Sequence, residues 1–86
     1  IADWPEYIET KVSDEEFKIA LKVALDDLDE KYRSVFVLRD LEELSTAKTA
    51  EILELSESNV KVRLMRARLF LRDRMSAFLK REGWLV

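Results

Sequence analysis

Apolar residues recur at helical spacing in four stretches of this chain, with charged residues between them. Phe17, Ala20, Leu21, Ala24, Leu25 and Leu28 form the first stripe. Ser13 and Glu16 precede it in a capping-box arrangement: the hydroxyl accepts from the third helical amide, and the carboxylate accepts from the cap amide. A first helix is therefore predicted from Ser13. Asp26, Asp27 and Asp29 sit at the negative end of its dipole, which predicts a stop by about Asp29.

A second helix is predicted from about Glu30 to Leu41. Tyr32, Val35, Phe36 and Leu38 or Val37 make it apolar over more than half its circumference, so it is expected to be the central, most buried helix. A strand competes for the run Val35 to Leu38, but the surrounding Lys, Arg and Glu at helical spacing weigh against it. Ser45 can cap a short third helix, about Thr46 to Leu53, with Ala50, Leu53 and Leu55 facing inward. Ser56 can cap a fourth, with Glu57 in its first turn. Its stripe is Val60, Leu64, Ala67, Leu71, Met75 and Phe78, it runs to about Lys80, and Gly83 is its natural stop. Trp84 is expected to anchor the chain just beyond. Leu69 and Phe70 lie off the stripe, and either pack against the first helix or face a protein partner.

Composition narrows the classes. The 86 residues suffice for one domain. Hydrophobic residues make up 48% and charged residues 38%, with one Gly and one Pro. That leaves too little turn chemistry for a sandwich or barrel, so the fold class is all-α, a four-helix domain over residues 13–86. Residues 1–12 read as an acidic linker or tail. Cys and His are absent, which removes disulfides, the usual zinc sites, thiol nucleophiles and histidine acid–base catalysis. The longest apolar run, Val35 to Leu38, is far short of a membrane span, and no secretory signal pattern opens the chain. Because the chain opens on Ile1 rather than Met, it is expected to be a piece of a longer protein.

The net charge of −3 is unevenly spread. Residues 1–57 hold 16 acids and 7 bases, whereas residues 58–86 hold 2 acids and 8 bases. An acidic body with a basic C-terminal third is the asymmetry expected when one element meets a polyanion, although a dipolar helix bundle with a solvated basic helix would show it too.

Only Glu54, Leu55 and Ser56 separate the third and fourth helices, and so short a link favours the steep crossing of a helix-turn-helix. Small Ala50 lets the helices approach, Leu55 plugs the corner, and Val60 anchors the second helix of the pair, at successive spacings of five. At 100° per residue, the side opposite Leu64 presents Ser58, Asn59, Val62, Met65, Arg66 and Leu69, with Lys61, Arg63, Arg68 and Arg72 on the flanks. Such a helix suits the DNA major groove: flanking cations neutralise phosphates while the front reaches base edges. Arg66 and Lys61 are candidates for guanine. Asn59 could read adenine or hold a phosphate, and Val62 and Met65 could touch a thymine methyl.

The run from Ala24 to Ser45 resembles the opening of region 4 of bacterial sigma factors of the extracytoplasmic-function class. Residues 55–75, LSESNVKVRLMRARLFLRDRM, resemble the recognition helix of that domain, most specifically in the V-x-x-R-L-x-R-A-R pattern from Val60 to Arg68. The resemblance spans about residues 15–80. It implies a four-helix helix-turn-helix domain that binds the promoter −35 element as duplex DNA, docks on the β flap of RNA polymerase, and in many members is covered by an anti-sigma factor. By that likeness Asn59, Lys61, Val62, Met65 and Arg66 are expected to read DNA, with Ser58 on the same face. Arg63 and Arg68 assist, and Thr46 with Ala47 approaches the backbone. The segment before Ser13 would be the linker from a −10-binding domain, and the location would be the bacterial cytoplasm. The sequence departs from the family in three places: Glu54 stands where many members have Gly, Lys48 replaces the usual capping-box acid, and Thr49 stands where Ile is common.

Other readings are weaker. The acidic cluster Asp26 to Glu30 lacks the Gly and ligand alternation of a cation loop, so no metal or cofactor is expected. Ser45, Ser56 and Ser58 have no base partner, and no convergent acid, base or nucleophile points to an enzyme. A sigma mimic that captures an anti-sigma factor would gain nothing from Lys61, Arg66, Arg68 and Arg72. A response-regulator output domain fits the long fourth helix less well.

Overall fold

The structure, a computed structural model, describes residues 13–84; the 1–12 linker expectation lies outside these residues. The described residues form four helices and no strand: α1 (Asp14–Asp26), α2 (Glu30–Phe36), α3 (Thr46–Leu53) and α4 (Glu57–Arg81), with one wide turn, Val37–Leu41, continuing α2. None of the helices is long and apolar enough to cross a membrane. The chain divides into two compact units. Leu28–Leu69 makes one; among the described residues, 13–27 with 70–84 make the other.

In the second of these units, α1 starts as its sequence dictates. The Ser13 hydroxyl accepts from the Glu16 amide at 3.2 Å, and the Glu16 carboxylate accepts from the Ser13 amide at 3.0 Å. A cap of this kind is worth about 1 kcal/mol. The helix ends at Asp26, with the Asp27 amide turned back to the Ala24 carbonyl. Ala20 and Ala24 are fully buried, as are Leu71, Met75 and Leu79 of α4. Asp27 accepts from Arg74 at 3.1 Å, joining the two elements. The expected stripe of α4 is corrected at its end: Leu79 is buried and Phe78 is half-exposed. Phe78 instead meets Trp84 edge-on, with ring centroids 5.8 Å apart. That contact closes a Schellman motif. Gly83 adopts φ 76°, its amide bonds the Lys80 carbonyl, and the Trp84 amide bonds the Leu79 carbonyl. Both Gly83 and Trp84 thus act as the sequence predicts. Phe70 is half-buried beneath Arg74, whose guanidinium lies 5.0 Å from the ring centroid.

The Leu28–Leu69 unit is built on Val35 and Phe36 of α2, Thr49 and Ala50 of α3, and Val60, Leu64 and Ala67 of α4, all buried. Leu28, expected in the α1 stripe, is buried here from the turn before α2. Tyr32 departs from the expected buried stripe of α2 and is half-exposed. The second helix does not stay α-helical to Leu41. Its last turn is wide, with the Glu42 amide bonded to the Val37 carbonyl at 2.8 Å. Glu43 then takes φ 58°, and the Leu44 amide returns to the Leu38 carbonyl at 2.9 Å. Arg39 locks this corner by donating to the Leu44 carbonyl at 2.6 Å. A wide turn of this type is uncommon and often marks a place where side chains must be re-aimed. Here it carries Arg39 and Asp40, both held by side-chain hydrogen bonds.

Candidate nucleic-acid interface

Serine caps start both helices of the helix-turn-helix. The Ser45 hydroxyl accepts from the Lys48 amide at 3.0 Å, and the Ser56 hydroxyl accepts from the Asn59 amide at 3.1 Å. Lys48, which stands in place of a capping-box acid, pairs instead with Glu51 one turn on, at 3.6 Å. Between the helices, Glu54 sits in the left-handed region at φ 56° and ψ 45°. Its amide turns to the Glu51 carbonyl, and the Leu55 amide bonds the Ala50 carbonyl at 2.9 Å. This is a Schellman ending built without glycine. It reverses the chain at the position where the resemblance expects one.

The turn aims α4 so that its two faces separate cleanly. Val60, Leu64 and Ala67 are buried, while Ser58, Asn59, Lys61, Val62, Met65 and Arg66 are exposed. Met65 is 56% and Val62 40% accessible, so both present apolar surface on this face. Arg63 is half-exposed on the flank. At the start of α3, Ala47 is exposed and Thr46 is half-exposed. These nine candidates are brought together on two successive helices.

Arg68 is placed differently. Its guanidinium forms a two-pronged pair with Asp40 of the wide turn, at 2.8 and 2.7 Å, and the Asp40 side chain is only 7% exposed. Paired charges in that geometry act as a fixed brace between elements. Nothing in the local sequence announces it, since the partners are 28 residues apart.

Tyr32 is the residue that sequence reasoning missed. The Arg66 guanidinium beside it holds its phenol below the ordinary pKa. Burial opposes this, and the nearby Lys31 charge reinforces it. The Lys31 ammonium lies 5.0 Å from the Tyr32 ring centroid. A helical wheel of α2 assigns Tyr32 to the apolar stripe; only its amphipathic character hints at a polar tip reaching outward.

A helix-turn-helix with a buried rear face and a polar, cationic front defines a class of DNA-binding domain. The family described as sigma-70, region 4 matches residues 18–71, and the chain belongs to it: it is a helix-turn-helix DNA-binding domain of the transcription-initiation sigma factors, not a member of an enzyme family. No curated protein and no solved structure matches the chain.

Proposed function

We propose that this chain reads the promoter −35 element as the C-terminal domain of an extracytoplasmic-function sigma factor, directing RNA polymerase to initiation. The observation that carries the reading is the exposed front of α4, where Ser58, Asn59, Lys61, Val62, Met65 and Arg66 stand clear of a fully buried rear. Inserted in the major groove, Arg66 and Lys61 suit the O6 and N7 acceptors of guanine. Asn59 suits adenine, and Val62 and Met65 suit a thymine methyl. Thr46 and Ala47, at the capped start of α3, lie against a phosphate, and Arg63 takes another. No bond chemistry is involved; the mechanism is positioning. Docking on the polymerase β flap supplies effective concentration for a contact that is weak alone. An anti-sigma factor would act by covering the same domain.

Amide NMR shifts of the chain titrated with duplex DNA at low salt test the placement, with shifts expected to concentrate from Ser56 to Arg66. Arg66→Ala is expected to cost about 1–3 kcal/mol at one or two base pairs and to relax specificity there. An equal loss on every sequence would make Arg66 a phosphate contact. Absence of shifts along α4 in the folded chain would favour a protein-binding sigma mimic.

A further inference from the structure

The Asp40–Arg68 pair differs in kind from the other ion pairs of the Leu28–Leu69 unit. Arg33 with Glu30 and Lys48 with Glu51 each join neighbours on one helix, three residues apart. Asp40 and Arg68 join two elements across 28 residues. Both prongs are engaged: Nε of Arg68 donates to one carboxylate oxygen at 2.8 Å, and Nη2 donates to the other at 2.7 Å. A fork of this kind needs the two planar groups aligned, so it fixes orientation as well as distance.

The corner that presents Asp40 is strained. Its turn is wide, Glu43 just beyond takes φ 58°, and Nε of Arg39 is buried without a hydrogen-bond partner. Strain persists only where the surrounding structure over-determines it, and it gathers at functional sites. The other end of the pair stands among the reading positions. Arg68 follows Met65 by three residues and Lys61 by seven, so at about 100° per residue the three share one side of α4.

Apolar packing does not fix a helix closely enough to read bases. Val60, Leu64 and Ala67 decide which face of α4 is buried, but packing of this type leaves crossing angles scattered by about 15–20°. One turn from the contact, at about 5.4 Å, a tilt of about 15° displaces a residue by about 1.4 Å. Hydrogen-bond lengths tolerate only about 0.5 Å. We propose that Asp40 is a positioning residue for base readout: through Arg68 it holds the tilt and rotation at which α4 presents Lys61, Met65 and Arg66, and Arg68 itself takes no phosphate. This rests on α4 reading the major groove as proposed above.

The test is discrimination between duplexes. The probe is the labelled duplex that the wild-type 86-residue chain enriches from a pool randomised over about 10 base pairs, one helical turn, together with its single-base-pair variants. A ratio of affinities measured on one protein cancels its folded fraction and any uniform attraction, so a merely structural role does not move it. Where a base contact is lost, the wild type is expected to discriminate by about 5- to 150-fold. Asp40→Asn, and Arg68→Lys, which keeps the charge but not the fork, are each expected to cut that ratio by about threefold or more, with the slope of log K against log salt unchanged. Ala24→Gly, which weakens α1, is expected to keep the wild-type ratio. Should Asp40→Asn fail to fold, Arg68→Lys decides alone, because the buried carboxylate keeps a cation. A wild-type ratio in either folded variant, or an equal fall in Ala24→Gly, overturns the positioning role. Tighter binding and a steeper salt slope on every duplex for Asp40→Asn overturns it too, by showing Arg68 to be a phosphate ligand that Asp40 restrains. Those results leave the groove reading intact; a wild-type chain that enriches no sequence overturns both.

Discussion

Replacing Glu54 by glycine is expected to stabilise the domain, although it removes a side chain from the hinge of the helix-turn-helix. Glu54 has φ 56°, where an L-residue with a Cβ is strained by about 1–2 kcal/mol. Glycine adopts that conformation freely, but it loses more backbone entropy on folding, about 0.5–1 kcal/mol. The difference favours the variant by about 0.5–1 kcal/mol. Nothing else offsets it: the Glu54 side chain is exposed, and the motif's hydrogen bonds, from the Glu54 amide to Glu51 and from the Leu55 amide to Ala50, are backbone bonds that glycine keeps. For a domain of this size, 1 kcal/mol moves the melting temperature by about 4–8 °C, so a rise of about 2–8 °C is expected in a circular-dichroism melt. Glu54→Ala separates backbone from charge, since alanine retains the Cβ and with it the strain. An equal rise in both variants would trace the gain to the lost carboxylate. A glycine variant that melts at or below wild type would refute the strain argument.

Arg68→Ala leaves the Asp40 carboxylate buried without its partner and is expected to cost about 3 kcal/mol in urea unfolding. Asp40→Ala should cost less, because the freed guanidinium is already 23% exposed and can turn to water; equal costs would contradict this. Thr49 is fully buried, and its hydroxyl finds no hydrogen-bond partner. Thr49→Val keeps the shape and is expected to gain about 1–2 kcal/mol, and a loss would show that the hydroxyl is paired. Tyr32 should ionise below the ordinary tyrosine value in an ultraviolet pH titration, and Arg66→Ala should move it back up. A lowered folded-state pKa stabilises the fold only at alkaline pH, fully above the unfolded value, and that gain is lost as pH falls through the folded value. Stability near neutral pH should therefore be untouched by this group.

Helix starts were legible because capping is local. Ser13, Ser45 and Ser56 each cap the helix that their spacing predicts, since a hydroxyl and an amide three residues on need no tertiary context. The left-handed hinge at Glu54 was signalled only by the family resemblance, in which many members have Gly at that position. What escaped was everything that depends on where distant residues meet. The wide turn at Val37–Leu41 leaves no periodicity that distinguishes it from one more α-helical turn, because inserting a residue changes the register without changing the residue types. Arg68 looked like a flank cation because its helix position says only that it leaves the core; its partner Asp40 belongs to the turn whose geometry was unforeseen. The helical period assigns Tyr32 to the apolar stripe, but the period cannot say how far the neighbouring elements cover it, and it is half-exposed.

These pairings change how the basic third of the chain should be understood. Residues 58–86 hold eight basic side chains, and counting them suggests a broad electrostatic footprint. Three of them, Arg68, Arg72 and Arg74, are bonded to aspartates, and Arg81 lies over the Phe78 ring. Lys61, Arg63 and Arg66 keep the exposed or flank positions of α4 without a carboxylate partner among the described residues. A cation already committed to a carboxylate releases little counterion on meeting a phosphate, so the effective charge toward DNA is smaller than the composition implies. The first 57 residues also hold nine more acids than bases, which opposes approach to a polyanion at long range. A domain arranged this way gains little from non-specific attraction and depends on the fit of a few side chains. That suits a reader delivered to its site by a larger assembly, where tethering supplies the concentration that charge does not.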